Sequence, residues 1–257
     1  MAEAVKLHYS EAGQGTPVVL LHGFPLSSAI WQPQLKLSDQ YRVITPDLRG
    51  HGRTPAPEGI YEMDLLAHDV LWLLDALRIQ KAVIMGHSMG GYVTLALWKL
   101  APERFLGMGL IASQAGADTQ EARLKRFALA EKVAAEGAKV VVDAMLGRLF
   151  APDTEADDPS IESVRDVMLA SPTSGIVGSL EGMAARRDSV ATLPEINVPA
   201  LILTGDKDQI IPLTKADELL AGLPDATLAI VEDAGHMPML ERPDATTAAI
   251  RRYLATV

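Results

Sequence analysis

Short apolar runs recur along the chain, and most are followed by residues at helical spacing. Val5 to Tyr9, Pro17 to Leu21, Arg42 to Thr45, Ala82 to Met85, Leu106 to Ile111, Pro199 to Thr204 and Thr227 to Val231 read as strands. Gly13-Gln14-Gly15 reads as the turn between the first two. From Glu62 to Arg78, Leu66, Val70, Leu73, Leu74 and Leu77 fall on one helical face. A second helix covers Tyr92 to Leu100 and is closed by Pro102. Pro243 opens a last helix with Ile250, Tyr253 and Leu254 turned inward. Alternation of this kind predicts an α/β fold: a doubly wound, mostly parallel sheet with helices on both faces.

The alternation stops after Ser113. From about Ala117 to Ala185 the chain shows helices and no convincing strand, with Val141, Met145 and Leu149 along one face. The acidic, proline-bounded stretch Ala151 to Ser160 reads as a solvated loop. The expected organisation is therefore a core from 1–116 and 186–257, with a helical insertion at 117–185 before the penultimate strand. Doubly wound sheets carry their sites at the C-terminal edge of the strands. An insertion there is expected to cap the site and line it with apolar helix faces; a decoration far from the site is the competing reading. No internal repeat or low-complexity tract is visible.

The chemistry centres on Gly86-His87-Ser88-Met89-Gly90-Gly91, entered from a strand and left by a helix. This is the context of a nucleophile elbow. The turn is too sharp for ordinary side chains, so its flanks are glycine, and the helix behind it points free N–H groups and its positive dipole end at the serine. A phosphate-binding glycine loop is the alternative, but the sequence has neither a Gly-Lys-Ser/Thr ending nor a G-x-G-x-x-G pattern here. A serine nucleophile needs a base. Of the six histidines, His236 alone lies in a loop just after the last strand, where a sheet edge would bring it over Ser88; His8, His22, His51, His68 and His87 read as structural. The carboxylate that orients the base could be Asp206 or Asp208 in Gly205-Asp206-Lys207-Asp208, or Asp118 after the preceding strand. The spacing leaves these open. The backbone N–H groups of Met89 and Phe24, the latter in the His22-Gly23-Phe24-Pro25 loop, are the expected oxyanion donors.

Composition narrows the company this site keeps. The chain has 257 residues, nearly half of them hydrophobic, and a formal charge of −10, which argues against nucleic acid as a partner. It has no cysteine, so disulfides, thiolate catalysis and zinc–cysteine sites are excluded. The opening Met1-Ala2-Glu3-Ala4-Val5-Lys6 lacks the basic-then-apolar pattern of a secretory leader, and no apolar run approaches the ~18 residues of a membrane span. The expected setting is the cytoplasm, with a small-molecule substrate, no membrane and no nucleic acid.

HGFPL at 22–26, PDLRGHGRT at 46–54, GHSMGG at 86–91, GDKDQIIP at 205–212 and DAGHMPMLERP at 233–243 resemble the α/β-hydrolase superfamily. The resemblance is to its capped branch of bacterial carboxylesterases, cofactor-free haloperoxidases and enol-lactonases. It implies the α/β-hydrolase fold, with Ser88 as nucleophile, Asp208 as acid, His236 as base, and Phe24 and Met89 as oxyanion donors. It also decides for Asp208 over Asp206, because the family's acid ends a G-x-x-D turn. Within the insertion, residues 124–146 and 182–189 resemble the cap of a thermophilic bacterial carboxylesterase, except that Arg187 stands where that relative has proline. The resemblance implies hydrolysis of carboxylic esters of short to medium acyl length through an acyl-enzyme, with no metal or cofactor. A lactonase acting on enol-lactones or acyl-homoserine lactones, a perhydrolase using the same residues, and a ligand receptor on a retained fold are the alternatives. Haloalkane dehalogenase and epoxide hydrolase are disfavoured, since those families carry aspartate where Ser88 stands.

Overall fold

The computed structural model describes residues 5–257; the first four residues of the opening stretch, read above as lacking a leader, lie outside it. Its strands are β1 (Tyr9–Ala12), β2 (Pro17–Leu21), β3 (Arg42–Pro46), β4 (Ala82–His87), β5 (Phe105–Ile111), β6 (Ala200–Gly205) and β7 (Ala226–Val231). They form one sheet in the order β1-β3-β2-β4-β5-β6-β7. β1 pairs antiparallel with β3, and the other pairings are parallel.

The apolar runs of β2, β3, β4, β5 and β6 become strands buried on both faces, as a parallel sheet requires, while β7 at the edge is only partly buried. Alternate residues go to opposite sides. Val19, Leu21, Ile84 and Ile202 join one apolar cluster with Leu66, Val70, Leu73 and Leu74 of α1 (Met63–Ala76) and Val93 and Leu97 of α2 (Met89–Leu100). Val18, Leu20, Val83, Met85, Leu201 and Leu203 join the other cluster with Trp31 and Leu37. Four helices lie between β5 and β6: α3 (Gln120–Glu136), α4 (Lys139–Leu149), α5 (Pro159–Ala170) and α6 (Thr173–Ala184). Ala130, Val133, Ile176 and Leu180 from α3 and α6 pack into the first cluster. Val142, Leu146, Val164 and Met168 from α4 and α5 pack into the second, beside Met237. The insertion thus straddles the sheet. After β6 come α7 (Leu213–Gly222), a single turn α8 (Pro238–Glu241), and α9 (Pro243–Leu254), whose Ile250, Tyr253 and Leu254 are buried as the sequence predicts.

Two elements differ from the sequence reading. The first strand is not Val5 to Tyr9 but Tyr9–Ala12. The earlier residues bond mostly to side chains: Val5 N–H donates to Asp69 Oδ1 and His8 N–H to Thr54 Oγ1, both at 2.9 Å, while the His8 carbonyl accepts the backbone Asp47 N–H at 2.8 Å. The sequence also gives no helix between β2 and β3, where Ser28–Asp39 forms a 3-10 stretch that buries Ile30, Trp31, Gln34 and Leu37. Among the described residues no helix is long and apolar enough to cross a membrane.

Candidate active site

Four loops leave the C-terminal ends of parallel strands and meet at one rim: those after β2, β4, β6 and β7. Ser88 follows β4 in the middle of the sheet. Its backbone sits at φ 50°, ψ −114°, a left-handed conformation uncommon for a residue with a side chain. The sharp bend exists because its flanks are bare. A β-carbon on Gly86 would clash with the Gly90 carbonyl, and one on Gly90 would lie 2.6 Å from the Leu21 carbonyl oxygen. Ser88 N–H donates to Ile111 O at 2.9 Å, and its carbonyl accepts from Gly91 N–H and Ser113 Oγ at 2.9 Å. The backbone is thus anchored on both sides. Although Ser88 precedes α2, its side chain does not cap that helix, so the hydroxyl is not consumed there.

Asp208 and His236 come from the loops after β6 and β7. The two loops are stitched together by Lys207 N–H to Ala234 O at 2.9 Å and Ala234 N–H to Asp206 Oδ1 at 3.3 Å. Asp206 is therefore a brace between the loops, and Asp208 is the residue that reaches the histidine. Asp208 Oδ1 accepts the N–H groups of Ile210 and Ile211 at 2.7 and 3.0 Å, which fixes the carboxylate. Its Oδ2 lies 2.8 Å from His236 Nδ1, and both side chains are almost wholly buried. An ionised carboxylate only accepts, so a neutral His236 ring carries its proton on Nδ1 and leaves the Nε2 lone pair free. That is the tautomer a general base needs. Asp118, the third carboxylate considered, is instead paired with Arg126 and Arg186.

His236 is joined to the serine turn through His87. The His87 Nε2–H donates to the His236 carbonyl at 2.8 Å, and the two rings lie 4.8 Å apart. Burial drives the His87 pKa well below 6.5, with the neighbouring His236 adding to the shift, so the ring stays neutral and keeps a single donor. The loop after β2 closes the other side. Gly23 packs so tightly that a β-carbon would fall 2.5 Å from His87 Nδ1 and 3.1 Å from Ser88 Cβ. This contact brings the next residue, Phe24, to the elbow. Met89 is the first residue of α2, so its N–H is among those without an intrahelical acceptor.

The remaining histidines bond to other partners. His22 accepts Leu48 N–H at Nε2 and bonds Gly23 O through Nδ1, while burial lowers its pKa. His51 bonds Arg49 O, and burial with the nearby His22 lowers its pKa to about 3. His8 lies 3.3 Å from Asp47, and His68 bonds Asp64 O on an exposed helix face.

One residue in the middle of this arrangement has no role in the sequence reading. Glu241 Oε1 accepts Gly235 N–H at 2.8 Å and Met237 N–H at 3.2 Å, the amides on either side of His236. It falls in the DAGHMPMLERP stretch at 233–243 without being singled out there, and its other partners, Ala151 and Thr154, lie far back in the chain.

Strand ends converging in this way on a strained serine and a locked Asp–His pair are characteristic of hydrolases built on a parallel sheet. The chain belongs to the alpha/beta hydrolase fold family, whose pattern matches residues 16–243. It is 31% identical to 3-oxoadipate enol-lactonase 2 of Acinetobacter baylyi, over 98% of this chain and 94% of that protein. Among solved structures it is similar to a thermophilic esterase from Thermogutta terrifontis with malate bound. That match has a TM-score of 0.96 and 36% identity, and covers 98% of this chain and 94% of the other. The enol-lactonase of Burkholderia xenovorans LB400 matches with a TM-score of 0.91 and 32% identity, covering 98% and 97% of the two chains.

Proposed function

We propose that the protein is a serine carboxylesterase. The observation that carries this reading is the Asp208–His236 bond of 2.8 Å, tied through His87 to a serine held at φ 50°. Ser88 Oγ attacks the ester carbonyl carbon while His236 Nε2 takes the hydroxyl proton. The carbonyl oxygen becomes an oxyanion received by the N–H groups of Met89 and Phe24, each worth roughly 3 kcal/mol to the transition state. The C–O bond to the alcohol then breaks, and the alcohol leaves with the proton held by His236. Water repeats the sequence on the acyl-enzyme, which releases the acid and restores Ser88. The chemistry calls for no metal or cofactor, and the substrate is a small molecule.

The insertion at 117–185 acts here as a cap. An open groove of about 680 Å3 between α4 and α5 is lined by Val142, Leu146, Phe150, Ile161 and Leu169, with Lys139, Asp143 and Arg165 among them. Its Phe150 and Ala151 backbone abuts Gly235, one residue from the base. The apolar side chains of this groove, which also carries Lys139, Asp143 and Arg165, are the support for placing a short to medium acyl chain on the insertion. The similarity to two enol-lactonases favours a second reading, a lactonase using the same three residues.

A rate panel of short and long p-nitrophenyl esters, an enol-lactone and an acyl-homoserine lactone separates the two. The carboxylesterase reading expects the highest kcat/KM on a short or medium ester. A preference for either lactone by more than about tenfold replaces it with the second reading, and no turnover of any of them removes both.

A further inference from the structure

The His236 loop is held by more than Asp208. Its ring is bonded by Asp208, its carbonyl by His87, and its two flanking amides by one oxygen of Glu241. The second oxygen of Glu241 points elsewhere. Oε2 accepts Ala151 N–H at 2.7 Å and Thr154 Oγ at 3.3 Å, both just past the end of α4 in the insertion. One half-buried carboxylate thus takes four donors, two from the loop of the base and two from the insertion. Gly235 makes the approach possible, because a β-carbon there would run into the Phe150–Ala151 backbone.

We propose that Glu241 is a positioning residue for the base: its carboxylate fixes the backbone on both sides of His236 and couples that loop to the helical insertion. The inference rests on His236 being the base, as argued above. Two oxygens with about four lone-pair sites match four donors, and no isosteric neutral group does. A glutamine at this position offers one oxygen and one NH2. Whichever way the amide turns, its NH2 faces two donors and one half of the clamp opens. Burial pushes the Glu241 carboxyl above its ordinary value of 4.5, opposed by the N–H groups of Ala151, Gly235 and Met237. Displacing a proton acceptor by an ångström costs turnover by up to about a hundredfold, while binding of a small substrate is little affected.

The test compares wild type, Glu241→Gln and Thr154→Val with p-nitrophenyl acetate. Active sites are counted by a serine-directed fluorophosphonate, and folding is checked by thermal melting. For Glu241→Gln the expected result is a fall in kcat per titrated site of about tenfold or more, with KM within about threefold. Thr154→Val, which removes one insertion-side donor, lowers kcat in the same direction by about twofold to fivefold. A folded Glu241→Gln with kcat per site within about twofold of wild type overturns the proposal. If Glu241→Gln does not fold, Thr154→Val decides: unchanged kcat overturns the coupling to the insertion. Wild-type chain that neither hydrolyses esters nor reacts with the fluorophosphonate overturns the esterase reading itself. Normal wild-type turnover with an indifferent variant overturns the Glu241 role alone.

Discussion

Holding serine at φ 50° costs of order 1–3 kcal/mol, and Ser88 is kept there by bonds to Ile111, Gly91 and Ser113 and by the bare flanks of Gly86 and Gly90. Ser88→Ala is expected to lower kcat on any ester substrate by at least about a thousandfold, because the members of a triad act as a unit. Asp208→Asn should preserve the fold yet lose up to about ten-thousandfold, since an amide facing His236 Nδ1 can select the wrong tautomer. Steady-state kinetics on purified variants checks both, and near-normal turnover in either removes that residue from the mechanism. Ser88 and His236 are legible in the sequence because each follows an apolar strand, and a parallel sheet puts such positions on one rim. Asp206 and Asp208 are not separable by spacing alone. They are two residues apart in one loop, and only the fold shows Asp206 bonded to Ala234 N–H and Asp208 to the imidazole. Glu241 is illegible for a further reason: Ala151 lies 90 residues away, so no local pattern could announce the pair.

At the scale of the element, periodicity is a good guide wherever one repeat dominates. Leu66, Val70, Leu73 and Leu74 mark α1, and the buried runs mark β2, β4 and β6. It fails where the repeat is short or the backbone bonds to side chains, as in the 3-10 stretch Ser28–Asp39 and the residues before β1. The last helix of the insertion shows how closely such elements can be docked. Tyr61 N–H donates to Gly178 O at 2.9 Å, and a β-carbon on Gly182 would clash with the Tyr61 carbonyl. Gly182→Ala is therefore expected to destabilise the protein by about 1–3 kcal/mol through overpacking. Gly147, on α4, has nothing within 4 Å of the position a β-carbon would take. There alanine should stabilise by about 0.5–1 kcal/mol, because it costs less helical entropy. Chemical denaturation of the two variants should give shifts of opposite sign. Two shifts of the same sign would contradict this picture of the insertion's packing.

The whole molecule carries a cluster of buried neutral imidazoles behind its site. His22, His51 and His87 all have pKa values lowered by burial, His51 to about 3. In the unfolded chain each takes up a proton near pH 6.5, while the folded chain resists until lower pH. The folded state therefore binds fewer protons in that window. Its stability is fully present above pH 6.5 and is lost as the pH falls below it, by up to about 1.4 kcal/mol per pH unit for each group. Denaturant melts at pH 7, 6 and 5 should show a steady fall, smaller in His51→Gln. Stability that holds level down to pH 5 would contradict the assignment of these rings as buried and uncharged.

The account stands on Ser88 being the one activated nucleophile, and covalent labelling tests that most directly. Wild-type protein treated with a fluorophosphonate should gain the mass of a single phosphonyl group, located by peptide mapping on Ser88. The gain should be absent in Ser88→Ala and slowed by at least about a hundredfold in His236→Ala. A label on another residue, or labelling of Ser88 at the same rate without His236, would contradict it.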